Sequence, residues 1–441
     1  MTEDEVLDVA EACADTVRRA EVDLLRVAYQ WAVLHSAERL DPVESAKPGR
    51  EKARRFGGAG TPEVNEFAAA ELGVRIGRSP WAARQLIADA LDLRHRHPQL
   101  WARVEAGEVR ASYARHVVAK TRDLERDEAA YVDAAVVESA DGRIAWSRFE
   151  ALVAAKVAQA APERAREREL RAQRATFAKR LRGEADGMSS YLVRADLATI
   201  EAIDAGFARK AREVAEARPD DPDLQTEDQR LVRAVLLAAT GADAGAEEAD
   251  LLPVVELVVH VYAGSDREGV ARIQGHGPVT EEWLRQVLGP RARFRVQPVL
   301  DLAGQAPVDA YEIPDRHRKA VQLIMPADTF PFASCTSTTM QVDHTVPHDE
   351  GGVSGIGNYG PMTTGHHRVK THGAGWQVQQ PFPGIFVWCD PGGVFYLVDH
   401  TGTRRIPEPE HERETERPRP SGKPVVVELW HTTVDVRYDA A

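Results

Sequence analysis

Five of the chain's fifteen histidines fall between Gln341 and Gly373, in the stretch QVDHTVPHDEGGVSGIGNYGPMTTGHHRVKTHG: His344, His348, His366, His367 and His372. Asp343 directly precedes the first of them, and Asn358 follows a glycine-rich run. A carboxylate and several imidazoles so close together suit one divalent cation beside one general base, because a neutral imidazole both ligates metals and accepts a proton near neutral pH. The competing role for any single histidine is that of a hydrogen-bonded core residue.

Local signals say how these groups would be positioned. MQVDHTVPH reads as a short strand, DEGGVSGIG as a turn, NYGPM as a returning strand, and TTGHHRVKTH as a short helix. Thr363 or Thr364 is the expected helix cap and Gly373 the stop. Strand, loop, strand and helix would bring Asp343 and His344 opposite the first helical turn. Adjacent helical residues point about 100° apart, so only one of His366 and His367 can face the strands squarely. His348 and His372 are expected at the surface.

Asp343-His344, Asn358 and the run His366-His367-Arg368-Val369-Lys370-Thr371 resemble the signature of HNH endonucleases. The likeness extends to DGMSSYLVRADLATIEAID, GHGPVTEEWLRQVLG, VQPVLDLAGQAPVDAYEIP and GWQVQQPFPGIFVW. These look like actinobacterial proteins that join a long N-terminal domain of unknown function, number 222 of its kind and also called the thirteen-E-twelve repeat family, to a C-terminal HNH domain. The resemblance implies metal-dependent hydrolysis of DNA phosphodiester bonds. His344 would be the general base and Asn358 would hold the loop and orient it. Asp343 and His367 would be the metal ligands, with His366 an additional candidate, and Lys370 would contact phosphate. Mg²⁺ or Mn²⁺ is the expected ion, with Ni²⁺, Co²⁺ or Zn²⁺ able to occupy the same donors. Many HNH domains also carry two cysteine pairs that bind a structural zinc. Here Thr363 stands where one such cysteine would be and only Cys335 lies upstream, so no structural zinc is expected. Packing by Phe330, Phe332, Met340 and Trp376 would hold the hairpin instead. The alternative function is a DNA-binding or regulatory protein that keeps the HNH fold with little or no cleavage. A zinc peptidase lacks its HExxH helix.

The wider chain supplies context. At 441 residues it should hold two or three domains. A net charge of −13 argues against wholesale nucleic-acid binding. One basic stripe, Arg164 to Arg182, could meet phosphate or simply be a solvated helix face. The three cysteines form no CxxC pair, no apolar run spans a membrane, and the acidic N-terminus has no signal-peptide pattern, so a cytoplasmic location is expected.

The expected fold is α+β: a helical bundle over 1–175, an α+β continuation over 176–325, a small ββα-metal domain over 326–400, and a linker with C-terminal strands over 401–441. Leu24, Val27, Ala28 and Trp31 form one helical stripe, and Trp146, Phe149, Leu152 and Val153 another. Ser79-Pro80 is a helix start. ELGVRIGRSPWAARQLIADAL also has the form of a helix-turn-helix that would offer Arg84 and Gln85 to a DNA groove. Further on, strands are expected around Asp186-Gly187, in LLPVVELVVHV, and from Trp376 onward. Thr280 and Pro314 should each start a helix. Pro407 to Pro424 is charged, proline-rich and expected to be disordered.

Overall fold

The computed structural model describes residues 1–181, 188–246, 251, 259–261, 270–273, 277–288, 302, 304–308, 312–337, 339–407, 425–429 and 432–436. The chain forms two compact units, one of Met1–Ala161 with Pro298–Ala441 and one of Pro162–Gln297. These divisions differ from the sequence boundaries at 175, 325 and 400, because the two ends of the chain share a core. The turn at Asp186-Gly187, most of LLPVVELVVHV and most of the Pro407–Pro424 linker lie outside the described residues.

The N-terminal region is mainly helical: α1 (Glu3–Leu34), α2 (Pro42–Ala46), α3 (Ala68–Arg75), α4 (Pro80–Arg96), α5 (Pro98–Glu105), α6 (Ala111–Thr121), α7 (Arg126–Val136) and α8 (Trp146–Ala160), with a small β1–β2 pair at Ala53–Arg55 and Glu63–Asn65. The buried stripe of α1 is Val22, Leu25, Ala28 and Ala32. That stripe is rotated from the expected one, and Val27 is exposed. Phe149 and Val153 of α8 are buried as expected, whereas Trp146 remains 40 % exposed beside Tyr113.

Ser79 caps α4, accepting from the Ala82 amide at 3.2 Å, with Pro80 as the first helical residue. The helix then becomes the centre of the bundle, packed by α1, α3, α5 and α6. Its exposed residues are Trp81, Arg84 and Arg94. Arg84 lies over the Phe56 ring and Gln85 accepts from Arg122 at 2.7 Å. A recognition helix must present a free face to the groove. Trp81 and Arg84 stay at the surface, whereas Gln85 is half-buried and tied to Arg122 and most of the helix is packed inside, so the helix-turn-helix is built into a bundle.

The second unit holds α9 (Pro162–Arg174), a β3–β4 hairpin (Phe177–Arg180 with Tyr191–Arg194), α10 (Leu197–Ala217), α11 (Glu227–Thr240), a three-stranded sheet of β5 (Val259–Val261), β6 (Val270–Ile273) and β7 (Gly277–Thr280), and α12 (Glu281–Leu288). Thr280 caps α12 through the Trp283 amide at 3.1 Å. No residue of α9 is buried, and Arg166 and Arg171 pair with Glu163 and Glu167. This is the pattern of a solvated, self-paired helix face.

After α13 (Asp315–Ile324), which Pro314 opens, come β8 (Gln341–His344), β9 (Tyr359–Met362) and α14 (Thr364–His372). The antiparallel meander β10 (Gln377–Phe382), β11 (Ile385–Cys389), β12 (Phe395–Asp399) and β13 (Gly402–Arg405) follows, then the pair β14 (Val425–Leu429) and β15 (Thr432–Val436). Phe330, Trp376, Trp388 and Tyr396 form the core under β9 and α14, joined by Phe67, Ala70 and Val74 from α3 and its cap. Phe332 packs at its margin and Met340 is buried. No helix among the described residues is long and apolar enough to cross a membrane.

Candidate functional site

β8 alternates, with Gln341 exposed, Val342 buried, Asp343 half-buried and His344 buried. Its partner register sets Asp343 opposite Gly360 and His344 opposite Tyr359. Gly360 has no room for a side chain, since a Cβ would stand 2.9 Å from the Phe386 ring. Thr363 caps α14 through the His366 amide, and the helix stops at Gly373. These local features fix where the helical histidines meet the strand.

The two adjacent histidines diverge. His367 Nε2 lies 3.5 Å from Asp343 Oδ1. Lys370, one turn on, donates from Nζ to Asp343 Oδ2 at 2.6 Å and also to the His344 carbonyl. His366 points elsewhere: its Nδ1 is 2.7 Å from Asp328 Oδ2 and its ring stacks on Phe330. Asp328 is fully buried as a side chain and also accepts from the Thr363 and Phe330 amides. Nothing local in the sequence signals Asp328, which lies 35 residues from Thr363.

Asn358 closes the loop between the strands. Its Oδ1 accepts from the Val346 amide at 2.8 Å, and its Nδ2 donates to the Val346 and Val353 carbonyls at 3.0 Å each. The next residue, Ser354, has its Oγ 2.9 Å from His344 Nε2. Asn358 therefore fixes the loop, and the loop in turn holds the imidazole through Ser354. Sequence reasoning missed Ser354, a small polar residue that its glycine-rich surroundings make look like turn. His348, expected at the surface, is half-buried, with its ring edge-on to His344 and centroids 6.0 Å apart. His372 is half-buried against Gly49.

Burial pushes the His344 imidazole below its ordinary pKa, with His348 and Lys370 adding to the effect and Asp343 opposing it. Its resting form at neutral pH is thus the uncharged ring, which can accept a proton. Among the described residues, no group of three or more His, Cys, Asp and Glu side chains is placed to hold a metal ion. Cys389 lies in the sheet, its thiol raised to about 11 by burial. Asp343 and His367 form a two-donor pair. Two donors sharing one ion at about 2.1 Å, at angles near 90–110°, stand roughly 3.0–3.5 Å apart. The 3.5 Å between Asp343 and His367 fits that span, with Lys370 turning the other carboxylate oxygen away.

Comparison with known families matches residues 35–321 to a domain of unknown function, DUF222. That is well over half of the chain, and the chain belongs to this family. The match ends before β8, so it does not include the histidine cluster. No curated protein and no solved structure matches the chain.

Proposed function

We propose that this member of the DUF222 family is a metal-dependent endonuclease of the HNH type, hydrolysing DNA phosphodiester bonds. The observation that carries it is the meeting of Asp343 and His344 on one strand with His367 and Lys370 on the helix that follows the paired strand. Asp343 and His367 would hold the divalent cation, Mg²⁺ or Mn²⁺ by donor type, whose charge would be available to a phosphate and its departing 3′-oxygen. His344, uncharged at neutral pH, takes the proton of the attacking water. Ser354 and the Asn358-braced loop fix the plane of its ring. Lys370 supplies a positive charge at the edge of the site, shared at rest with Asp343.

Two observations favour a second role, DNA binding or regulation with little or no cleavage. His344 is only 6 % exposed, and Lys370 already neutralises Asp343. Nicking of supercoiled plasmid with Mg²⁺, Mn²⁺ or EDTA, run beside His344→Ala, separates the two roles. Metal-dependent nicking that vanishes in His344→Ala supports the nuclease. Retained nicking in that variant removes His344 from the mechanism, and DNA retention without nicking under any metal favours the second role.

A further inference from the structure

We propose that the Gly49–Phe67 segment of the helical region is a positioning element for the candidate site, acting through Arg368. This rests on the reading of Asp343 and His367 as the working pair. Arg368 sits between His367 and the buried Val369 on α14, and the HNH-like spacing gives it no role. Its Nε donates to the Gly49 carbonyl at 3.0 Å and its NH2 to the Arg50 carbonyl at 2.9 Å. The same guanidinium takes both Glu66 carboxylate oxygens and lies over the Phe67 ring.

The receiving surface is itself braced. Glu66 accepts from the Lys52 amide at 3.1 Å, and Glu51 accepts from the Phe67 amide at 2.9 Å. One turn beyond Arg368, His372 fits over Gly49, whose φ is +80° and where a Cβ would come 2.4 Å from the imidazole Nε2. A side chain at position 49 would be strained by its backbone and would displace His372.

α14 is therefore gripped on two flanks. His367 and Lys370 reach Asp343 on one, and Arg368 and His372 meet the Gly49–Phe67 segment on the other. A helix of nine residues has little stability alone. Side chains of a working site must be held to about 0.5 Å and 10–20°, so a small roll of this helix would part His367 from Asp343. A planar guanidinium with several fixed acceptors prevents such a roll better than apolar packing does.

The test uses the full-length chain with Arg368→Ala, and with Arg75→Gln as the control. Arg75 pairs with Asp390 across the same interface but touches no site residue. Three site measurements are made: amide exchange over residues 364–372, Mn²⁺ affinity by titration, and kcat and KM for plasmid nicking. Arg368→Ala should raise exchange in α14, weaken Mn²⁺ binding and lower kcat, each about tenfold, with KM within about twofold. Arg75→Gln should lower the melting temperature and leave the three site measurements within about twofold. If Arg368→Ala fails to fold, Glu66→Gln takes its place, because it keeps the side-chain volume and removes the charge. An Arg368→Ala protein that melts lower but keeps all three site measurements overturns the proposal. A wild-type chain that neither binds Mn²⁺ nor nicks DNA refutes the nuclease instead, and the exchange comparison then decides the positioning role by itself.

Discussion

Asp343 is where the charges of the site meet, with Lys370 on one oxygen and His367 facing the other. A cation entering beside that carboxylate is repelled by the ammonium, and the repulsion is strong in a partly buried setting. Lys370→Met should therefore tighten Mn²⁺ binding by roughly threefold or more while weakening retention of DNA. Calorimetric titration of the metal checks this, and unchanged affinity would mean that the ion does not sit at Asp343. Asp343, His344, His367 and Asn358 could be nominated from the sequence because their types and order form a pattern. Ser354 and Asp328 could not, since a small hydroxyl in a glycine loop and a lone aspartate have no spacing to set them apart.

At the scale of elements, Asp328 ties the start of α14 to the aromatic core. It accepts from the Phe330 and Thr363 amides and holds His366 against Phe330. A buried carboxylate thus gathers the strand-to-helix junction at Thr363. Asp328→Ala strands two amides and an imidazole, and should cost about 3 kcal/mol of stability, measurable by urea unfolding. A loss below about 1 kcal/mol would show that Phe330 and Trp376 hold the junction without it. The α1 stripe shows the limit of periodicity: several rotations of one helix bury a similar apolar area, and neighbours choose among them. Similarly, α4 has the sequence form of a recognition helix, but its place in the bundle is at the centre.

For the whole molecule, the helical region and the C-terminal strands depend on one another. Phe67, Ala70 and Val74 lie in the same core as Trp376 and Trp388, and Arg75 pairs with the buried Asp390. A fragment beginning at Pro326 would expose that core and leave the buried Asp390 carboxylate without its arginine, held only by the Val394 amide and the Tyr396 hydroxyl. It should lack the cooperative thermal transition of the full chain, as followed by circular dichroism. A sharp transition in the fragment would show that the core closes without α3.

Stability should also fall in acid through His97. That ring is fully buried, with Nδ1 on the Asp92 carbonyl and Nε2 facing the Thr121 hydroxyl, and burial lowers its pKa to about 4. Because a carbonyl only accepts, Nδ1 carries the proton and the fold holds the neutral ring. The unfolded chain binds the extra proton near pH 6.5, so this contribution is complete above that pH. It is lost as pH falls toward 4, and amounts to about 3 kcal/mol. In His97→Gln, the fall in unfolding free energy between pH 6.5 and 4 should be shallower by that amount.

The sequence by itself determined what depends on neighbours in the chain. The caps at Ser79, Thr280 and Thr363, the stop at Gly373, the strands around the site and the helix after them all follow from residues within a few positions of one another. Only the tertiary structure decided which partner each side chain meets. It turned His367 to Asp343 and His366 to Asp328, drew Ser354 onto His344, and set Arg368 against Glu66, 302 residues away. The physical reason is that a cap or a turn is chosen by local dihedral and hydrogen-bonding preferences. The facing of one element toward another is chosen by the packing of the whole core, which spacing along the chain does not encode.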